Sequence, residues 1–241
     1  MYLNNQLTAL AIIPGLMILT YVYTKDKVEK EPISMIIKVV IFGAISCIIA
    51  GFVETFVAQF LPWYPEGSLE YALVNAFLLA AFWEEILKYL ALRIATWNCK
   101  HFNYRFDGVV YGVSAAIGFA VLENILYVAQ YGMSTAIVRA FTAVPLHAFC
   151  GLAMGTFYSY SKKNAILGNR AKTNQYTLLA LVVPMMIHGV YNTFAFLRSN
   201  AAAYALLVFV AIMYVIAIKT IRNLSKADHK EGFYPNSGIN L

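Results

Sequence analysis

Charge is scarce in this sequence. Only 12% of its 241 residues are Asp, Glu, Lys or Arg and 61% are hydrophobic, whereas a soluble domain carries about 25% charged residues. That excludes an ordinary water-soluble domain and points to a polytopic membrane protein. The net charge of +6 is not read as a nucleic-acid surface. The basic residues stand in short loops between apolar runs, which fits orientation in a lipid bilayer, and no nucleic-acid partner is expected. Cysteine is also sparse. Cys47, Cys99 and Cys150 are scattered in or beside apolar segments and form neither a disulfide framework nor a CxxC zinc knuckle. The amino-terminal region lacks positive charge, and no small-residue cleavage site follows its first apolar run. The expectation is that no signal peptide is removed and that this run stays as a helix.

What is present is a series of apolar runs. Spanning a bilayer takes about 20 residues, and about seven segments qualify: 7–23, 34–55, 70–97, 108–130, 134–160, 175–197 and 201–222. The expected fold is therefore all-α, a polytopic membrane helix bundle. It would form a single membrane-embedded domain over 1–222, with a polar tail over 223–241 in which His229 is a solvated residue. Lys25, Lys27 and Lys30, then Lys100 and Arg105, then Lys162, Lys163, Arg170 and Lys172, and finally Lys226 and Lys230 fall in alternate loops. The positive-inside rule then predicts the N-terminus outside and the C-terminus inside.

Against this background five ionisable residues stand out: Glu84, Glu85, Glu123, His147 and His188. One such group near the bilayer centre costs about 2.5–3.5 kcal/mol on insertion scales. Counting along each predicted span at 1.5 Å per residue puts Glu84, Glu123, His147 and His188 about 20 Å from one surface, so they can meet. Gly108, Gly112, Ala116 and Ala120 form a small-residue stripe that runs into Glu123 and Asn124. Ala143, His147, Gly151, Gly155 and Ser159 form another, and such stripes let helices approach closely. His188 and Asn192 share a face at i, i+4. Pro145 and Pro184 are expected to open the helices beside the two histidines. Asp107 is read as an N-cap and Arg139 as an interfacial anchor.

Carboxylates and imidazoles in a hydrated pocket make a hydrolytic set. Glu84 or Glu85 would activate water, with Glu85 or Lys88 tuning it. Glu123 and His147 would carry protons or act as ligands. His188 and Asn192 would stabilise an oxyanion. If zinc is used, Glu123, His147 and His188 could hold Zn²⁺ with a fourth position for water. No HExxH helix is present, and the residues leave metal-dependent and metal-free chemistry both open. A proton-coupled transporter would use the same buried carboxylates, although no internal duplication is visible.

At these positions the sequence resembles the PrsW-type intramembrane proteases over most of its length. "AIIPGLMILTYVYTKDKVEKEP" is similar to that family's first helix and its charged loop ending in Glu-Pro. "EEILK" fits its EExxK motif and "FAVLEN" its FxxxE motif. His147 in "PLHAFCGLAMG" and His188 in "MIHGVYNTF" fit its two later histidine positions. The family is similar in turn to type II CAAX-prenyl endopeptidases and their bacterial relatives, which carry EExxxR, FxxxH and HxxxN. This chain has Lys88 three residues after Glu85, and Glu123 where those have histidine. Only "HGVYN" matches their last motif. The resemblance implies an endopeptidase of the bacterial plasma membrane. It further implies a single-pass membrane protein substrate, an anti-sigma factor, cut near the outer face in the first step of stress signalling.

Overall fold

The computed structural model describes residues 5–228 and 232–233. Their regular secondary structure is all helical, with no strand among the described residues. The helices are α1 (Asn5–Lys25), α2 (Ile33–Ala58), α3 (Leu69–Leu73), α4 (Phe82–Thr96), α5 (Arg105–Tyr131), α6 (Met133–Phe141), α7 (Ala143–Ile166), α8 (Arg170–Phe196) and α9 (Asn200–Ala227). A π-helical stretch, Val74–Ala81, joins α3 to α4. Among the described residues, six stretches are long and apolar enough to cross a membrane, α6 and α7 counting together as one. The third predicted span is the composite of α3, the π-helical stretch and α4. Its interruption and its buried charges, Glu84, Glu85 and Lys88, set it apart from the other six.

α5 runs through the middle of the bundle, packed on α7, α2 and α1. Its apolar window is 72% buried, against 17% for the peripheral α9. The two small-residue stripes explain the α5–α7 contact. A methyl group at Gly112 would lie 2.5 Å from the Gly151 carbonyl oxygen and 2.7 Å from Gly155 Cα, so only glycine lets these backbones meet. The outside of the bundle exposes large apolar side chains, among them Met17, Phe52, Ile94 and Leu207, as a surface facing lipid does.

The basic loops gather at one end. Asn103 donates to Glu29 at 3.1 Å, Ser225 to the Lys25 carbonyl at 2.5 Å, and the Phe233 amide to the Asn103 carbonyl at 2.7 Å. Phe233 thus docks the tail against Phe102, while His229 and Lys230 lie outside the described residues. At the opposite end Arg198 and Glu66 pair at 2.6 Å.

Two local readings change. Pro145 does not break a helix from within. The break falls at Thr142 (φ −123°, ψ −64°), so Pro145 sits in the first turn of α7, where a missing N–H costs nothing. α8 continues through Pro184 without interruption. Asp107 is not the N-cap of α5 but its third residue. Its carboxylate accepts from the Asn103 and Tyr104 amides at 2.9 and 2.6 Å, and Tyr104 holds the cap position.

Candidate active site

The site begins with the π-helical stretch. A π turn takes in an extra residue and so rotates everything after it relative to what came before. Phe77 from this stretch packs where a side chain at Gly189 would otherwise stand, which seats the π segment beside His188. One turn further on, α4 presents Glu84, Glu85 and Lys88 to the bundle interior, at 5%, 0% and 0% exposure.

Lys88 is the hub. Its Nζ lies 3.1 Å from Glu84 Oε2, 2.9 Å from Glu85 Oε1 and 3.0 Å from His147 Nδ1. The Phe119 ring stands 4.0 Å away, a cation–π distance. An ammonium group only donates, so His147 Nδ1 must accept. Its Nε2–H is then free to donate to Glu123 Oε2, at 2.9 Å. The network fixes His147 as a neutral ring with its proton on Nε2. On the other side His188 Nδ1 lies 2.8 Å from Glu85 Oε1. Ionised Glu85 can only accept, so His188 donates from Nδ1 and its Nε2 lone pair is left open. The two imidazole rings meet edge to face, 5.1 Å apart.

Glu123 is held from behind. Arg139 Nη2 lies 2.7 Å from its Oε2, and Arg139 Nε donates to Asn124 Oδ1 at 2.9 Å. Asn124 in turn donates to the Ala11 carbonyl of α1 at 3.2 Å. Arg139 is therefore not an interfacial anchor but a partner of the site. Its guanidinium also lies 3.9 Å from the Tyr127 ring.

These groups border a cavity of about 690 Å³. Glu84, Glu123, His147, His188, Asn192 and Arg139 line it, while Glu85 and Lys88 stand behind the wall. The structure thus joins all five ionisable residues into one network, with Lys88 at its centre. Asn192 faces the cavity, and Asn124 is a brace. Sequence reasoning missed Arg139 as a site residue, because its partner Glu123 is 16 positions away, across the junction of α5 and α6 at Gly132. It also missed Glu54, which lines the cavity from α2.

Four residues could hold a metal ion here, and the grouping differs from the expected one. Glu84, Glu85, His147 and His188 each offer one ligand atom, all within 4.8 Å of one another. Glu123 is outside this group, because it is turned to Arg139 and to the far nitrogen of His147. Glu85 Oε2 is buried without a hydrogen-bond partner, as an oxygen awaiting a cation would be. The donor types suit a divalent ion. The Lys88 ammonium binds three of the same four residues, so an ion held by them would compete with it for one place.

The chain matches the description "PrsW family intramembrane metalloprotease" over residues 31–218. It is similar to Protease PrsW of Bacillus subtilis, 35% identical over 81% of this chain and 85% of the relative. Protease PrsW of Geobacillus kaustophilus is 31% identical, over 90% and 91% of the two chains. Protease PrsW of Clostridioides difficile is 30% identical over 93% of each. No solved structure matches. A proton-coupled transporter, the other use the sequence allowed for these carboxylates, finds no support in these comparisons. With its glutamates and histidines joined at the wall of an intramembrane cavity, the chain belongs to the PrsW family of intramembrane metalloproteases and is a multi-pass membrane peptidase.

Proposed function

We propose that this peptidase cuts a single-pass membrane protein whose chain unwinds into the cavity, with Glu84 as the base that activates water. The observation that carries the reading is the division between the two adjacent glutamates. Glu84 lines the cavity, whereas Glu85 is fully buried behind it and holds both Lys88 and His188. Glu84 takes a proton from water as the oxygen adds to the peptide carbonyl carbon. Asn192, which lines the same cavity, donates to the oxygen that becomes negative. The proton on Glu84 then passes to the departing nitrogen as the C–N bond breaks. Glu85 is a positioning residue, since it fixes the His188 tautomer and keeps Lys88 in place. Arg139 and Glu123 do the same for His147. A zinc ion, if bound by Glu85, His147 and His188, would leave Glu84 free as the base and would supply Lewis-acid polarisation and a more acidic water. An anti-sigma factor is the substrate that the family resemblance suggests.

The test uses purified protein in lipid with a panel of single-pass substrates that includes anti-sigma factors, read by mass spectrometry. Glu84→Gln is expected to lower kcat at least about a hundredfold while leaving insertion and folding intact. Glu85→Gln is expected to lower activity and stability together. A chelator arm reads the metal. Undiminished cleavage by Glu84→Gln would move the base elsewhere.

A further inference from the structure

Three carboxylates line the cavity, and two of them are engaged. Glu84 is bound to Lys88, and Glu123 to Arg139 and His147. The third, Glu54, has no hydrogen bond or ion pair among the described residues. Its position follows from α2. Cys47 and Ala50 pack on Phe119, whose ring touches the centre through Lys88 and His147. Glu54 continues that face two turns on, about 10 Å further along the helix. It stands between the catalytic centre and the end of α2 at Ala58. Gly51, one turn back on the cavity wall, has open space where a side chain would be, so no side chain at that position screens Glu54 from what enters.

A carboxylate in an apolar wall without a cation has a strong demand for one. Among the described residues, the one cationic side chain that shares the cavity lining, Arg139, is already paired. We infer that Glu54 is a specificity-determining residue that receives a lysine or arginine side chain of the substrate. A peptide must be extended to be cut and then advances about 3.3 Å per residue. The basic residue therefore lies a few positions from the scissile bond. An acidic residue there would face Glu54 with no compensating charge. This inference rests on the proteolytic reading above.

The experiment starts from a single-pass substrate that the unmutated chain cuts and Glu84→Gln does not, so proteolysis is established before Glu54 is altered. Lys, Ala and Glu are then placed in turn two to four residues from the cut, on each side. At one of these positions Lys is expected to exceed Ala by about tenfold in kcat/KM, carried by KM. Glu54→Gln is expected to remove the preference. Glu54→Lys is expected to reverse it, so that the Glu substrate becomes the favoured one. Equal cleavage of the three substrates at every position by the unmutated chain would overturn the inference. So would a lysine preference that survives in Glu54→Gln.

Discussion

The molecule buries acidic residues in two places, and they are held in opposite ways. In the membrane interior Glu84, Glu85 and Glu123 are matched by Lys88, Arg139 and two histidines, and the group opens on a cavity. At the end where the basic loops gather, Asp26, Glu31 and Asp107 are just as buried, yet the hydrogen bonds that Glu31 and Asp107 accept come from neutral donors. The Tyr111 hydroxyl donates to Glu31, backbone amides donate to Asp107, and the Phe106 amide donates to Asp228 at 3.3 Å. The first group is compensated charge facing a reaction space, and the second closes helix and loop ends. Burial of a carboxylate therefore does not by itself mark a site. Matched cations and access to a cavity do.

The largest effect expected from breaking this contrast comes at Lys88. Lys88→Met leaves two buried carboxylates and His147 without their shared cation. Removing one partner from a buried ion pair costs about 3–5 kcal/mol, so thermal unfolding in detergent should shift down strongly and cleavage should be lost. Zinc sharpens the comparison. With the ammonium gone, added zinc should raise the unfolding temperature of Lys88→Met more than that of the unmutated protein. An equal rise in both would mean that ion and ammonium do not share a place.

A smaller loss is expected at Arg139. Its pair with Glu123 is only partly buried, at 15% and 18% side-chain exposure, so cavity water can take over some of the solvation. Arg139→Gln should lower kcat by about tenfold to a hundredfold, since His147 loses part of its orientation. Arg139→Lys should restore less than half of that, because an ammonium cannot reach Glu123 and Asn124 with one rigid fork. Full activity in Arg139→Gln, measured on the same substrate, would remove Arg139 from the site.

Much of this was legible in the sequence, for physical reasons. Depth along a helix is a matter of counting, and counting alone places Glu84, Glu123, His147 and His188 at one level. The stripes at Gly108–Gly112–Ala116 and Gly151–Gly155 announced the α5–α7 contact, because only small side chains permit it. What the sequence hid depends on long side chains and on irregular backbone. Lys88 reaches Glu85 at i−3 as well as Glu84 at i−4, and it touches His147, 59 residues away. No local pattern encodes that last contact. The π-helical stretch at Val74–Ala81 has no composition cue. It re-aims α4, which brings Glu84 and Glu85, rather than Glu123, into one group with the two histidines. Glu54 could have been found, since it repeats the Cys47 and Ala50 face at helical spacing.

The smallest effect belongs to the other acidic group, and it concerns pH. Burial pushes the Asp26 carboxyl up to about 6, with Asp228 adding to the rise and Lys30 opposing it. Burial likewise pushes Glu31 up to about 7, opposed by the hydrogen bond from Tyr111 and by the neighbouring Asp107. A carboxyl whose pKa is higher in the folded state than in the unfolded chain holds its proton more tightly when folded. Its stabilising effect is complete below the unfolded value, near 4, and is lost as pH rises through about 6 to 7. The unfolding temperature should therefore fall between pH 5 and pH 8 through these two groups. Glu31→Gln keeps an oxygen for the Tyr111 hydroxyl and removes the titration. It should flatten part of that slope and unfold at a higher temperature than the unmutated protein at pH 8, with little difference at pH 5. Catalytic chemistry at the membrane interior should be untouched, because Glu31 does not line the cavity. A steeper slope in Glu31→Gln would mean that Glu31 is charged in the folded protein. The loop end would then be compensated like the interior, and the contrast between the two acidic groups would disappear.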